Sequence, residues 1–77
     1  MVKIYSTPTC PWCKKVKAYL EEKSIKYENL NVAEDMKAQE EMIKISGQMG
    51  VPVIDIDGQI VVGFDKTRID ELLKIQP

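Results

Sequence analysis

Apolar and polar positions switch between two rhythms along the chain, and each switch marks a predicted element. Lys3 to Ser6 carries Ile4 and Tyr5 between polar neighbours, a short strand, and the turn formers Thr7-Pro8-Thr9 follow it. From Pro11 to Lys23 the apolar residues Cys13, Val16, Tyr19 and Leu20 recur on one helical face, with Pro11 at the first position a helix favours. Tyr27 to Val32 predicts a second strand. Ala33 to Ser46 has no Gly or Pro, carries Met36, Met42, Ile43 and Ile45, and stops at Gly47, a helix C-terminal signal. Val53-Ile54-Asp55-Ile56, then Asp57-Gly58, then Ile60-Val61-Val62 spell a hairpin, because Asp-Gly supplies the positive φ values of a tight turn. Asp65 caps a last helix running to Ile75, with Ile69, Leu72 and Leu73 as its buried stripe.

The order β-α-β-α-β-β-α predicts an α/β fold. The first β-α-β must be a right-handed parallel crossover and the hairpin adds antiparallel strands. A mixed four-stranded sheet covered by three helices results. No repeat, low-complexity tract or linker interrupts the pattern, so residues 1–77 read as a single domain.

Composition then narrows the functions. Hydrophobic residues are 44% and charged residues 30%, the profile of a soluble globular chain. No apolar run approaches the roughly 20 residues a membrane helix needs. The start, Met1-Val2-Lys3-Ile4-Tyr5, lacks the apolar core of a signal peptide, so the expected compartment is the cytoplasm. A net charge of -1 argues against nucleic acid held through its phosphates. The absence of histidine removes imidazole as base, proton shuttle or metal ligand.

Two cysteines remain, Cys10 and Cys13. A bridge between residues this close in sequence closes almost no loop and adds little stability, so chemistry explains the pair better than a structural staple does. Cys10-Pro11-Trp12-Cys13 falls where the first strand ends and the first helix begins. Cys10 is the predicted N-cap, where free N–H groups and the positive dipole end favour an anion. Cys13 lines up with Val16 and Leu20 on the core-facing stripe. One sulfur is then exposed and the other sheltered, the asymmetry that thiol–disulfide exchange requires. The first twenty residues hold Lys3, Lys14, Lys15 and Lys17 and no acid. Those lysines either favour a thiolate or form a solvated face. Trp12, between the cysteines, supplies an apolar platform for a partner. Pro52 at a strand start leaves the isomer of the Val51–Pro52 bond open.

With these residues in place, the chain resembles the glutaredoxins, within the thioredoxin fold, over essentially its full length. The short glutaredoxin-like proteins of anaerobic and Gram-positive bacteria are the nearest likeness. The resemblance rests on Cys10-Pro11-Trp12-Cys13, on Ser46-Gly47-Gln48-Met49-Gly50-Val51-Pro52-Val53-Ile54, and on Val62-Gly63-Phe64-Asp65. It implies a monomeric dithiol–disulfide oxidoreductase with Cys10 as nucleophile and Cys13 as resolving cysteine. It implies a cis Val51–Pro52 bond facing the sulfurs, with the Val51 N–H and C=O pairing with the substrate's backbone. Gly63 and Asp65, flanking Phe64, fall where glutaredoxins hold the γ-glutamyl end of glutathione. No tightly bound cofactor is implied.

The departures bear on the electron donor. Thr7 stands where most glutathione users carry Lys or Arg, Gly50 precedes Val51-Pro52 where Thr is common, Val62 replaces the first of two glycines, and Lys66 replaces an acid. Trp12 replaces the usual tyrosine. The resemblance therefore extends to glutaredoxin-like hydrogen donors of ribonucleotide reductase, which are reduced by thioredoxin reductase; either that enzyme or glutathione is the expected donor to a chain acting on disulfide-containing proteins. A Cys-x-x-Cys metal chaperone is a remote rival, since such proteins run β-α-β-β-α-β. A non-catalytic binding module is disfavoured by retention of both cysteines.

Overall fold

The computed structural model describes residues 2–74. Strand β1 is Val2–Ser6, helix α1 Pro11–Glu22, strand β2 Tyr27–Asn31, helix α2 Met36–Ser46, strand β3 Val53–Ile56, strand β4 Gln59–Val62 and helix α3 Lys66–Leu73. The predicted element order holds throughout. The sheet order is β2-β1-β3-β4. β1 runs parallel to β2 and antiparallel to β3, and β3 runs antiparallel to β4.

Both faces of this sheet are covered, so its central strands are apolar at successive positions rather than at alternate ones. Val2, Ile4, Ile54, Ile56 and Val61 point to one face and pack with Val16 and Leu20 of α1 and Ile69 of α3. Tyr5 and Val53 point to the other, against Val32 and against Ala38 and Met42 of α2. The molecule therefore has three layers, with α1 and α3 together and α2 opposite. Tyr19 of α1 ties α1 to α3: its hydroxyl donates to the Asp70 carboxylate, and Lys66 Nζ lies 3.0 Å from the other carboxylate oxygen. These partners hold the Asp70 carboxyl below its ordinary range.

Several boundaries differ from the sequence expectation. By one residue, α1 ends at Glu22, β2 ends at Asn31 and β4 begins at Gln59. Three other differences have a structural reason. β1 begins at Val2, which is buried against the α1–α3 face. α2 begins at Met36, not Ala33. Asn31 Oδ1 accepts from the Ala33 N–H at 3.0 Å, and the Asn31 carbonyl accepts from the Glu34 and Asp35 N–H groups. The turn uses up those residues, and Asp35 caps the helix by accepting from the Ala38 N–H at 3.1 Å. Met36 is consequently 72% exposed and not part of the core stripe. α3 ends at Leu73 with Lys74 as its C-cap, while Ile75 lies outside the described residues. At the hairpin, Asp57 and Gly58 have φ of 49° and 92°, the tight-turn conformation the dipeptide predicts.

Candidate active site

The register gathers three loops at one end of the sheet. Tyr5 pairs with Val53, and Val53 pairs with Val62. The chain leaving β1, the chain entering β3 and the chain leaving β4 therefore meet at the same edge. They carry Thr7 to Cys13, Val51-Pro52 and Gly63 to Asp65, so two of the three motifs reach this edge whole, and the β3-side motif through its Val51-Pro52 end.

Cys10 is the N-cap of α1, with extended backbone at φ -87° and ψ 112°. Its Sγ accepts from the Cys13 N–H at 3.1 Å, the place a capping oxygen usually takes. An N–H aimed at sulfur from a helix N-terminus is a donor suited to an anion. The Cys10 N–H in turn donates to the Thr7 carbonyl at 3.3 Å, which fixes the approach to the helix. The Cys10 sulfur also lies 3.9 Å from the Val51 carbonyl oxygen.

Cys13 is fully buried, on the same stripe as Val16 and Leu20. Burial, followed by its contact with Cys10, pushes its thiol up to about 11, while the Thr7 backbone and the Lys17 charge pull the other way. Both sulfurs are free thiols, Cys10 half-buried. One thiol is reachable and held by a helix terminus; the other is dry and protonated.

A cleft of about 270 Å³ opens beside the pair, lined by Trp12, Val51, Pro52, Gly63 and Phe64. Trp12 is 56% exposed, and Lys15 Nζ sits 4.4 Å above its ring centroid. Val51–Pro52 is cis, as the resemblance implied. Gly63 adopts φ 80°, a conformation that favours glycine, and its N–H donates to the Pro52 carbonyl at 2.8 Å. The Phe64 ring lies 5.7 Å from that of Tyr19, which anchors this wall to α1.

The remaining predicted residues stand outside this lining. Pro11 is the exposed first residue of α1. Thr7 is half-buried and contributes its backbone. Asp65 is exposed and caps α3, its carboxylate accepting from the Arg68 N–H at 3.2 Å. Gln48 stands in the Ser46 to Ile54 motif with no role assigned to it from the sequence; its side chain bonds both backbone groups of Gly50 next to Val51. Its place in that motif and a glycine two residues after a long amide side chain were the signals.

Two thiols at a helix start, one capping and one buried, beside a cleft walled by a cis-proline loop, define a thiol–disulfide oxidoreductase of thioredoxin-like fold. The crystal structure of a single-substitution variant of the thioredoxin-like protein BC3987 superposes with TM-score 0.92 at 31% identity, covering 97% of this chain and 96% of that one. The glutaredoxin-like NrdH-redoxin of Escherichia coli, described as having a thioredoxin-like activity profile, gives TM-score 0.76 at 25% identity, covering 99% and 95%. Among curated relatives, an uncharacterised glutaredoxin-like 8.6 kDa protein from a rubredoxin operon of Clostridium pasteurianum is 62% identical over 96% of this chain and 99% of its own length. Glutaredoxin 3 of Escherichia coli K12 is 42% identical over 95% and 96%. The glutaredoxin family profile matches residues 2–61. The chain belongs to the glutaredoxin family. Its glutaredoxin homologues are thiol–disulfide oxidoreductases.

Proposed function

We propose that this chain reduces protein disulfides through Cys10 and Cys13, and that thioredoxin reductase restores it more efficiently than glutathione does. The observation that carries the first part is the Cys13 N–H held on Cys10 Sγ at 3.1 Å while Cys13 itself is buried. The Cys10 thiolate attacks one sulfur of a substrate disulfide, forming a Cys10–substrate disulfide and releasing the other sulfur as thiolate. Cys13 then loses its proton and attacks Cys10 Sγ, which closes the Cys10–Cys13 bridge and releases the substrate's second thiol. Two electrons pass to the substrate, and an NADPH-driven reductase returns two to the bridge. Trp12 and Phe64 offer apolar contact at the cleft, and the Val51 N–H and C=O supply one backbone rung to the bound segment. The reaction belongs in the cytoplasm, and a single copy of the chain carries both thiols.

The choice of donor rests on charge. Thr7 brings no cation for a glutathione carboxylate, and the Asp65 carboxylate is already engaged by the Arg68 N–H. Lys66, where family members commonly place an acid, is turned toward Asp70 and the Tyr19 ring. This arrangement favours the second reading as well, a hydrogen donor for ribonucleotide reductase, which shares the same donor enzyme. Metal handling finds no support in the element order, because the described elements run β-α-β-α-β-β-α and not the β-α-β-β-α-β of such chaperones.

A paired assay tests the donor. Thioredoxin reductase with NADPH should reduce the Cys10–Cys13 disulfide faster than glutathione with glutathione reductase. Thr7→Lys should raise the glutathione-dependent rate by at most about fivefold, since an exposed ion pair is worth up to about 1 kcal/mol. Faster reduction of the wild type by glutathione, with no gain from Thr7→Lys, would return the chain to the glutathione-dependent group.

A further inference from the structure

We infer that Gln48 is a positioning residue for substrate: its side-chain amide sets the direction of the Val51 N–H that a bound disulfide segment pairs with. The Gln48 amide bonds Gly50 on both sides. Its Oε1 accepts from the Gly50 N–H at 2.6 Å, and its Nε2 donates to the Gly50 carbonyl at 3.0 Å. The second bond matters most. The Gly50 C=O and the Val51 N–H belong to one planar peptide unit and point in opposite directions across it. Holding the carbonyl toward Gln48 therefore turns the Val51 N–H to the other side of the strand-like segment. Val51 lines the cleft and its carbonyl oxygen stands 3.9 Å from Cys10 Sγ. The amide is itself held at its base: Ser46 Oγ lies 3.3 Å from Gln48 Nε2 and 3.0 Å from the Gln48 carbonyl oxygen, and bonds back to the Met42 carbonyl at the end of α2. A chain of polar contacts thus runs from α2 to the peptide plane beside the sulfurs.

Gly50 fits this use. A Cβ built there would stand 2.6 Å from Gln48 Oε1, so any larger residue displaces the amide from the backbone. The obstacle is the tip of a flexible side chain, so such a substitution breaks the brace without obstructing the fold. Gly50→Ala and Gln48→Ala are expected to act alike, and the double variant to be little worse than either.

The inference rests on the disulfide-reductase reading, and the test separates the two. A dithiol-reduced enzyme is assayed on a peptide disulfide, with the alkylation rate of Cys10 by iodoacetamide and the thermal midpoint measured on the same samples. Gln48→Ala and Gly50→Ala should raise KM by roughly two- to tenfold, the effect of weakening one hydrogen bond, and leave the alkylation rate unchanged. Gln48→Glu decides between positioning and packing. It keeps the length of the side chain and an acceptor for the Gly50 N–H but has no donor for the Gly50 carbonyl, so its KM should rise as that of Gln48→Ala does. A wild-type KM for Gln48→Glu or Gln48→Ala would overturn the inference and leave the reductase reading intact. A wild-type protein that reduces no disulfide would overturn that reading first. A fall in alkylation rate or thermal midpoint that matches the rise in KM would also overturn the inference, by making Gln48 a structural residue.

Discussion

In the proposed reaction Cys13 is the residue on which turnover hinges after the first attack, because it must lose a proton inside the core. Its thiol is pushed up to about 11 by burial, by its bond to Cys10 and by the Cys10 charge. In the Cys10–substrate disulfide Cys10 carries no charge, so the last of those causes disappears and burial remains. Below its pKa a thiol gains about tenfold in thiolate for each pH unit. Closure of the bridge should therefore accelerate from about pH 7 to about pH 9. Trp12 is the single tryptophan and borders the pair, so stopped-flow emission can follow closure from a preformed mixed disulfide. A rate flat across that range would mean that Cys13 deprotonation does not limit closure. The asymmetry of the two sulfurs was legible in the sequence, since helix spacing alone puts Cys13 in line with Val16 and Leu20. The Gln48 brace was not, because a side chain bonding the backbone two residues on leaves no periodic mark. The lysines were only partly legible: Lys15 is engaged by Trp12, and Lys17 acts on Cys13.

At the level of elements, α3 is held to the core by the buried Ile69 with the half-buried Leu72 and Leu73 beside it. It has eight residues, too few for a helix to persist alone in water, and Ile69 is its buried side chain. Ile69 packs with Val61 and the β1–β3 residues beneath α1. Ile69→Ala should cost about 2–5 kcal/mol, read as a lower urea midpoint at unchanged slope. A loss below about 1 kcal/mol would mean that Leu72, Leu73 and the Tyr19–Asp70–Lys66 contacts, not Ile69, hold α3 down. Because α3 begins at the Asp65 cap, its loosening would also disturb Gly63 and Phe64 in the cleft wall. Helix and strand identities were readable here from periodicity and from the Asp-Gly turn. The start of α2 was misread because Ala33 is an intrinsically good helix former, whereas Asn31 and Asp35 decide the matter through side-chain bonds to the backbone.

The whole molecule places its chemistry by topology. Antiparallel pairing of β1 with β3 and of β3 with β4 brings Cys10, Val51-Pro52 and Gly63-Phe64 to one edge, although more than forty residues separate the first from the second. That convergence followed from the element order once strand pairing was known. The cis state of Val51–Pro52 did not follow from local sequence and came only through the family resemblance. Choice of electron donor is a property of a complex, so a single chain shows it only through charges such as Lys66 and the missing cation at Thr7. The central claim is narrower: Cys10 attacks and Cys13 resolves. The most direct test is to incubate the Cys13→Ser variant with a protein disulfide and locate the trapped bond by mass spectrometry, with Cys10→Ser alongside. The account predicts a stable mixed disulfide on Cys10 in the first variant and neither trapping nor reduction in the second. A partner trapped on Cys13 of the Cys10→Ser protein, or continued reduction by it, would contradict the account.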